Sequence, residues 1–388
     1  MTFSPPVFIF WFSAGFVFWV AAGYPLLLSK WSRRGRPVQR RFEPRTVTAI
    51  VAVRDGEHYL RAKLESILKL DYPQGLLDVL VVSDGSTDAT DAIAESFHGR
   101  GVRLIRIPPA GKPAALNAGI SEARGEILLL TDVRQPLDAD SLRHLIECFA
   151  DPTVGAVSAT LRIRAGSVRE EADISLYWRY ETWLRGQLGR LDSMFGATGP
   201  FYALRRSLAV PIPTDILLDD MYLPLAAFFQ GYRLVTDERA IAWDDPTSLE
   251  TEFRRKLRTL AGNYQLLRYY PALLGPGNRM WFHFVSYKLG RLLLPFAFLA
   301  IGASSFWISQ PFRTIALSMQ IVFYGLAVVD IFLPQGSALK RITSPPRTFC
   351  AMMAAAVCAL AIFFVPPRSL WQITSAGPPR ARVQKTGR

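Results

Sequence analysis

Cysteine and histidine are scarce in this chain, which narrows the chemistry available to it. The 388 residues include four histidines and three cysteines, Cys148, Cys350 and Cys358, with no CxxC spacing. These numbers exclude a disulfide framework and argue against a zinc site or a histidine-based metal cluster.

The usual glycine-rich nucleotide motifs are also absent. No GxGxxG sequence occurs anywhere in the chain. Gly111-Lys112 is followed by Pro113, where a phosphate-binding loop needs Ser or Thr, and the upstream glycine is missing. A dinucleotide oxidoreductase and a P-loop enzyme therefore have little support.

Acidic residues are outnumbered, and the positions of the excess basic residues indicate the kind of partner. The chain has 45 Lys and Arg against 32 Asp and Glu, a formal net charge of +13. One basic cluster directly follows an uncharged stretch and consists of Lys30, Arg33, Arg34, Arg36, Arg40, Arg41 and Arg45. This arrangement is typical of a cytoplasmic juxtamembrane segment, so we expect membrane lipids as partners and no nucleic acid.

Charge is missing altogether from long apolar stretches at both ends of the chain. Met1 to Ser29 is long enough to cross a bilayer, and it lacks the positive start of a signal peptide. We expect a signal anchor there, with its amino terminus outside. Three further candidate spans are Leu292–Phe312, Thr314–Leu339 and Thr348–Pro367.

The number of crossings stays open at this point. Four spans would place the basic tail, with Arg380, Arg382, Lys385 and Arg388, outside, whereas the positive-inside rule prefers it in the cytoplasm. The last stretch is therefore a span or a re-entrant segment. Residues 276–291 mix aromatic and basic side chains, which predicts a helix in the membrane interface, with a packed core helix as the alternative.

Between the apolar ends, strand and helix patterns alternate, which favours an α/β fold with a mostly parallel, doubly wound sheet. Predicted strands are Val47–Val53, Leu76–Asp84, Val102–Ile107, Glu126–Asp132 and Val154–Ile163. Predicted helices are Glu57–Leu70, Thr87–Phe97, Lys112–Ala123 and Asp138–Phe149. The predicted organisation is an anchor (1–29), a basic linker (30–45), this domain (46–275), an interfacial helix (276–291), a membrane region of two to three spans (292–367) and a polar basic tail (368–388).

Acidic and basic motifs lie where these strands end or where helices begin. The stretch Val81–Asp88, VVSDGSTD, places Asp84 at the carboxyl edge of the sheet, where open α/β sheets bind ligands. Alone, it would be an ordinary strand–turn–helix with a polar N-cap. Four further motifs follow the same logic in chain order: Val53-Arg54-Asp55-Gly56-Glu57, Gly111-Lys112-Pro113-Ala114-Ala115-Leu116-Asn117, Thr131-Asp132-Val133-Arg134 and Leu217-Leu218-Asp219-Asp220.

This ordered set resembles the family 2, inverting glycosyltransferases of the GT-A fold. The resemblance is strongest to the membrane-embedded branch that includes synthases of cellulose, hyaluronan, chitin oligosaccharides and poly-N-acetylglucosamine. It implies that Arg54, Glu57 and Asp84 bind the donor nucleotide sugar. Lys112 would face the nucleotide or its diphosphate, with a solvated lysine at a helix start as the alternative.

The resemblance also implies a metal site, from which this chain departs at one position. Asp132 matches the first Asp of the family's DxD motif, which binds the cation that bridges the donor diphosphate. The second acid is replaced by Arg134. Because a fixed guanidinium can itself bind phosphate, we expect Mg²⁺ or Mn²⁺ at Asp132 with a weakened metal dependence.

Acceptor and catalytic positions follow downstream. Thr198 and Gly199 lie in a small-residue segment that matches the family's acceptor region, with a tight turn as the alternative, and Trp178 is a candidate lining residue. Asp220 matches the general base that an inverting transfer requires, and Asp219 the neighbouring acid. A helix N-cap pair is the alternative for these two.

The last motif departs from that of processive members. Arg258 matches the Arg of QxxRW and is predicted to contact the diphosphate, but Arg255 and Thr259 replace Gln and Trp. Loss of the Trp removes a stacking platform for an acceptor sugar, which argues against processive polymerisation.

Together these features imply a membrane-embedded glycosyltransferase that moves a sugar from a nucleotide-sugar donor, expected to be UDP-linked, to a glycan or lipid-linked acceptor. Its expected location is a bacterial-type plasma membrane with the catalytic domain cytoplasmic, in cell-envelope or exopolysaccharide synthesis, with an export or accessory membrane subunit as a further partner. A non-catalytic nucleotide-sugar sensor is the alternative, since Arg134 breaks the metal motif. A transporter has little support, because only Asp330 is charged within the predicted spans.

Overall fold

A computed structural model describes residues 4–164, 169–245, 249–334, 336–367 and 369–370, with side chains omitted for 169–178 and 249. Its centre is one seven-stranded sheet of order β3-β2-β1-β4-β6-β5-β7, in which β6 alone runs antiparallel to its neighbours. The strands are β1 (Val47–Val53), β2 (Leu77–Asp84), β3 (Val102–Ile107), β4 (Ile127–Thr131), β5 (Val154–Ile163), β6 (Phe201–Arg205) and β7 (Arg233–Asp244).

Helices precede, separate and follow these strands. They are α1 (Pro5–Phe18), α2 (Tyr24–Ser32), α3 (Glu57–Leu68), α4 (Thr90–Ser96), α5 (Lys112–Ser121), α6 (Ser141–Glu147), α7 (Arg169–Leu191), α8 (Asp219–Phe229), α9 (Leu249–Tyr269), α10 (Trp281–Phe284), α11 (Gly290–Ser304), α12 (Phe312–Phe332) and α13 (Lys340–Cys358).

Alternation along the central strands produces two cores, one on each face of the sheet. In β2, Val79 and Val81 pack with the helices α3 and α6, whereas Leu80 and Val82 face the opposite core. That second core includes residues of α5, α8 and α9 together with Tyr24 and Leu28 of α2. The domain is therefore attached to the apolar helices through one face of its sheet.

The mostly parallel, doubly wound sheet is confirmed. Element bounds differ from the predictions at several ends. Helix α4 begins at Thr90 rather than at Thr87, because the Asp88 carboxylate accepts hydrogen bonds from the Thr90 N–H (2.9 Å) and hydroxyl (2.5 Å) and holds a turn there. Helix α6 begins at Ser141 and gives way to a 3₁₀ turn at Cys148–Ala150.

Four helices are long and apolar enough to cross a membrane: Pro5–Ser32, Trp281–Trp307, Phe312–Phe332 and Lys340–Phe363. A separate interfacial helix was predicted at 276–291, but α10 continues through a π-helical turn, Val285–Leu289, into α11, and the joined helix runs from Trp281 to Trp307. Its place in the membrane interface stays a prediction. Glu181 of α7 accepts hydrogen bonds from Tyr287 and Arg291 of that helix, which fixes it to the domain.

Two arginines of the basic linker form ion pairs with acidic residues of the domain. Arg40 lies 3.2 Å from Asp237, and Arg45 pairs with Glu126. Arg33 and Arg34 are exposed at the end of α2. Their interaction with lipid headgroups stays a prediction.

Candidate active site

Asp84 fixes the start of helix α5 at the carboxyl edge of the sheet. Its buried carboxylate accepts hydrogen bonds from the backbone N–H of Ala110 (2.6 Å) and of Gly111 (3.0 Å). Gly111 has a φ of +94°, which a residue with a side chain rarely adopts. This turn aims the next residue, Lys112, across the sheet edge.

The ammonium group of Lys112 joins two of the predicted carboxylates. Its Nζ lies 2.9 Å from Asp132 Oδ1 and 3.1 Å from Asp219 Oδ1. Burial would lower the pKa of Lys112, but Asp132 and Asp219 outweigh it, so its pKa is raised and the group stays charged. The alternative of a solvated lysine at a helix start is therefore wrong for Lys112.

Asp219 and Asp220 form the first turn of α8, and Asp219 is buried. Burial and the charge of Asp219 raise the pKa of Asp220 to about 6, although Lys112 and Arg258 oppose the shift. A carboxylate with a raised pKa in a site with a defined charge partner is a candidate general base. The structure brings Asp132, Asp219, Asp220, Lys112 and Arg258 into one cluster.

Two arginines, Arg258 and Arg134, add positive charge to this cluster. Arg258 of α9 lies near Asp132, Asp220 and Asp219, and burial lowers its pKa although these carboxylates oppose the change. Arg134 also lies near Asp132. Burial alone would raise the pKa of Asp132, but the positive charges of Lys112 and Arg134 have the larger effect, so the pKa of Asp132 is lowered. The site thus holds three carboxylates among three cations.

The predicted acceptor segment packs directly against Asp220. A Cβ atom on Gly199 would stand 2.8 Å from Asp220 Oδ2. The backbone N–H of Ala197 donates to the Asp220 carbonyl oxygen (2.7 Å). Thr198 is buried and its hydroxyl accepts a hydrogen bond from Arg185 (3.0 Å). Thr198 and Gly199 therefore lie at the site.

Glu57 and Arg54 lie farther out along the same sheet edge. The Glu57 carboxylate accepts a hydrogen bond from the Ala89 N–H (3.0 Å), and the Glu57 N–H donates to Asp88 (3.0 Å). These contacts join the loops after β1 and β2. The Arg54 side chain is half exposed and lies 3.9 Å from Asp55. Arg54 thus follows β1 and Glu57 begins α3 at this sheet edge.

Trp178 lies on the described backbone of α7, but its side chain is outside the described residues. On the same helix, Tyr180 and Trp183 are exposed and stack with ring centroids 6.1 Å apart. Thr182, Arg185 and Thr198 line a small depression beside β5, together with Ala159 and Leu161.

Sequence reasoning missed Lys63, a buried lysine beneath the Asp132 loop. Its Nζ donates to Thr131 Oγ1 (2.6 Å) and to the Gln135 carbonyl (2.5 Å), and burial lowers its pKa to about 7. A signal existed, since Lys63 shares the apolar face of α3 with Leu60 and Leu64.

Arg185 and Tyr202 were also missed: no motif marks Arg185, and Tyr202 lies in the acceptor segment, where only Thr198 and Gly199 were predicted site residues. Arg185 contacts Thr198 and the Gly196 carbonyl oxygen (2.8 Å). Tyr202 is buried in β6 near Asp219 and Asp220, and its hydroxyl has no hydrogen-bond partner among the described residues. These two residues come to the site from an antiparallel strand and a helix whose positions only the fold reveals.

The described residues include no group of three or more His, Cys, Asp and Glu side chains that could hold a metal ion. Asp132 offers one carboxylate, and Lys112 already stands between it and Asp219. The donor set therefore fits a divalent cation that takes few ligands from the protein and the rest from an anionic ligand such as a diphosphate.

Comparison with known proteins identifies the domain that carries this cluster. Residues 48–210 match the family described as glycosyl transferase family 2. The chain contains a family 2 glycosyltransferase domain. Lys112, Asp132 and Arg134 lie inside the matched region, whereas Asp219, Asp220 and Arg258 follow it.

The relatives of this glycosyltransferase domain are distant in sequence. The probable glycosyltransferase YdaM of Bacillus subtilis is 26% identical over 238 residues, which cover 58% of this chain and 56% of the relative. A poly-beta-1,6-N-acetyl-D-glucosamine synthase of Staphylococcus epidermidis is 25% identical over 236 residues, with 57% and 55% covered. The matches thus span about half the length of these relatives.

A solved structure confirms the GT-A-like fold. The mannosyltransferase PcManGT of Pyrobaculum calidifontis, solved with GDP-Man and Mn²⁺, aligns with a TM-score of 0.69 at 22% sequence identity. The alignment covers 91% of this chain and 98% of that chain, so it extends beyond the family 2 domain.

Proposed function

We propose that this chain is a membrane-embedded inverting glycosyltransferase that moves a sugar from a nucleotide-sugar donor to a hydroxyl of a glycan or lipid-linked acceptor. The observation that carries the proposal is the position of Asp220. Its carboxylate has a pKa of about 6, belongs to a cluster with two other carboxylates and three cations, and packs against Gly199 of the predicted acceptor segment.

Each group has a distinct task in the proposed reaction. Asp220 takes the proton from the acceptor hydroxyl as its oxygen attacks the anomeric carbon. The bond from that carbon to the donor diphosphate breaks on the opposite face, so the configuration inverts. Lys112, Arg134 and Arg258 stabilise the negative charge that develops on the departing diphosphate.

Other residues position the reactants. Asp219 holds Lys112, while Arg54, Glu57 and Asp84 line the side on which the nucleotide would bind. Thr198, Gly199 and Trp178 belong to the acceptor side. Asp132 would hold Mg²⁺ or Mn²⁺, which would supply further positive charge to the diphosphate.

UDP is the expected donor nucleotide, as the resemblance to the polysaccharide synthases implies, and a relative is named as a poly-beta-1,6-N-acetyl-D-glucosamine synthase. The solved neighbour contains GDP-Man, so both nucleotides belong in a donor panel. The proposed setting is cell-envelope or exopolysaccharide synthesis at a plasma membrane, with the domain cytoplasmic and an export or accessory subunit as a partner. Residues 1–29 and 292–367 would be its membrane parts, 276–291 their junction with domain 46–275, and 30–45 and 368–388 its basic segments.

Nucleotide release in native membranes tests the proposal. The donors are UDP-GlcNAc, UDP-Glc and GDP-Man, and wild type is compared with Asp220→Asn. Asp245→Asn, an exposed carboxylate paired with Arg164, is the matched control. We expect release with one donor, loss in Asp220→Asn and no change in the control. Release that persists in Asp220→Asn would overturn the assignment of the base.

A second candidate function is a nucleotide-sugar sensor without turnover. Arg134 favours it, because that residue removes one acid from the metal motif. Donor-dependent thermal stabilisation with no release in either protein, even with membrane extracts as an acceptor source, would support the sensor.

A further inference from the structure

We propose that helix α13 lies along the bilayer surface on the side of the glycosyltransferase domain, so that the chain crosses the membrane three times and not four. The proposal rests on the membrane embedding proposed above. It identifies the lipid bilayer as the partner of the outward face of α13.

Helices α1 and α11 run antiparallel, and their contacts show which end of the membrane region is remote from the glycosyltransferase domain. Near the domain, the Trp19 indole N–H donates to the Ser286 hydroxyl (3.2 Å), and a Cβ on Gly290 would stand 3.0 Å from Val20. Away from the domain, Trp11 contacts Phe312 with ring centroids 5.4 Å apart. Phe312 begins α12, so α12 starts at the end that is remote from the domain.

Helix α12 returns toward the domain. Gln320 donates to Ser305 near the end of α11 (2.8 Å), and Phe323 joins Phe298, farther back along α11, through the ring of Phe349. With 21 residues, α12 is about 31 Å long, enough to cross the hydrocarbon core. Its far end, where Asp330 lies, is therefore on the domain side.

Helix α13 begins at that same end. Buried Asp330 lies 3.3 Å from Lys340 Nζ, accepts a hydrogen bond from the Thr343 hydroxyl (2.5 Å) and pairs with Arg347 at 3.0 Å. The first two turns of α13 are thus fixed against the last turn of α12, on the domain side.

The 3₁₀ turn Ala359–Phe363, which continues α13, also lies on the domain side. Phe363 contacts Tyr264 of α9 with ring centroids 5.7 Å apart, and the Tyr264 hydroxyl donates to the Leu292 carbonyl at the start of α11 (3.5 Å). Ala359 and Leu370 are buried in the core that also holds Leu257 and Ala261 of α9.

A helix with both ends on one side does not cross. The segment Lys340–Phe363 has 24 residues and would reach about 36 Å if it stood along the membrane normal. Its second end would then lie at the opposite surface, not against α9. Since Phe363 packs on α9, we infer that the segment runs along the surface.

The two faces of α13 match this placement. The face toward the protein buries polar and small side chains, including Lys340, Thr343, Ser344 and Ala355. The outward face is mostly apolar: Ile342, Val357 and, in the 3₁₀ turn that follows, Phe363 are exposed by 62%, 39% and 63%, and Arg341 is the exposed charge near its start. An apolar face of this length fits lipid and not water.

This arrangement resolves the conflict between four spans and the positive-inside rule, because Leu370 then lies on the domain side. It also links the bilayer to the active site. Helix α13 packs on α9, which carries Arg258 of the carboxylate cluster.

Cysteine labelling in the full-length chain tests the proposal. Cys148, Cys350 and Cys358 are replaced by alanine, and single exposed cysteines are introduced at Ser96 in the domain, Ser309 after α11, Ala338 before α13 and Ser369 after it. A membrane-impermeant maleimide is applied to inside-out and right-side-out vesicles. Ser96 and Ser309 calibrate the two sides.

We expect the cysteines introduced at Ala338 and Ser369 to be labelled in the vesicle orientation that also labels the cysteine at Ser96. The cysteine at Ser309 should be labelled only in the opposite orientation. Labelling of the Ser369 position together with the Ser309 position would overturn the proposal. Protease removal of a carboxyl-terminal epitope from the otherwise wild-type chain gives the same answer without cysteine replacement. Neither readout depends on sugar transfer, so its outcome is separate from that of the proposed function.

Discussion

Gly199 lies directly against the carboxylate of Asp220. A Cβ atom at position 199 would come within 2.8 Å of Asp220 Oδ2 and 3.4 Å of its Cγ. Real Cβ atoms rarely approach an oxygen so closely, so a side chain there would displace the carboxylate or fill the space beside it. The small residue of the acceptor segment and the proposed base thus depend on each other.

Gly199→Ala is expected to lower kcat/KM by roughly 100-fold, because displacement of a reacting group by about 1 Å has an effect of that size. Donor binding, measured by donor-dependent thermal stabilisation, should change little. Gly99→Ala is the control, since a Cβ there meets no atom within 4 Å. A Gly199→Ala enzyme with wild-type kcat/KM would show that Asp220 tolerates the crowding or is not the base.

The pH dependence of kcat/KM should report the ionisation of Asp220. Its raised pKa of about 6 predicts that activity falls about tenfold for each pH unit below that value, because the base must be ionised. Burial is the main cause of the shift and the charge of Asp219 the next. Asp219→Asn should therefore move the acidic limb to lower pH, and an unmoved or higher limb would contradict the coupling.

Metal dependence should follow the charge at position 134. In wild type, we expect chelation to reduce nucleotide release only partly, since Arg134 and Lys112 already supply positive charge near Asp132. Arg134→Asp restores a second acid and should make release strongly dependent on added Mn²⁺. Arg124→Asp, at an exposed arginine, controls for the change in net charge. If chelator abolished nucleotide release by wild type while Arg134→Ala released nucleotide at a near-normal rate without chelator, this prediction would be wrong.

Lys63 is expected to be a positioning residue for the Asp132 loop. Its ammonium donates to Thr131, whose hydroxyl donates to the Pro200 carbonyl (2.8 Å), so it joins the loop of Asp132 to the acceptor segment. Lys63→Met should lower kcat about 10- to 100-fold, with a smaller change in KM. Lys69→Met, at the exposed end of the same helix, should be neutral, and equal kcat values for the two variants would exclude the role.

The sequence predicted the features that depend on residues close together in the chain, namely the strands and the turns that follow them. Apolar runs at β1, β2 and β4, followed directly by acidic turns, predict that Asp84 and Asp132 lie at one edge of the sheet. The motif order also brought Lys112, Asp219, Asp220 and Arg258 to that edge, and the structure assembles these residues into one cluster.

Long-range packing could not be predicted in the same way. The antiparallel β6 inserts between β4 and β5, and only this insertion brings Tyr202 to the carboxylates. Arg185 reaches Thr198 from a helix whose sequence carries no motif. The apolar stretch Thr348–Pro367 predicted a span or a re-entrant segment, whereas the direction of its helix depends on contacts with α9 and α12 that no local pattern encodes.

The last prediction concerns the hairpin of α12 and α13. Asp330 is fully buried and pairs with Lys340 and Arg347, so Asp330→Asn would remove a buried negative charge from two partly or fully buried cations. Removal of one partner of such a pair costs about 3–5 kcal/mol, and we expect a clearly lower midpoint of thermal unfolding in detergent. Asp245→Asn breaks an exposed pair with Arg164 and should cost less than about 1 kcal/mol. Equal midpoints for the two variants would mean that the Asp330 network does not hold α13 in place.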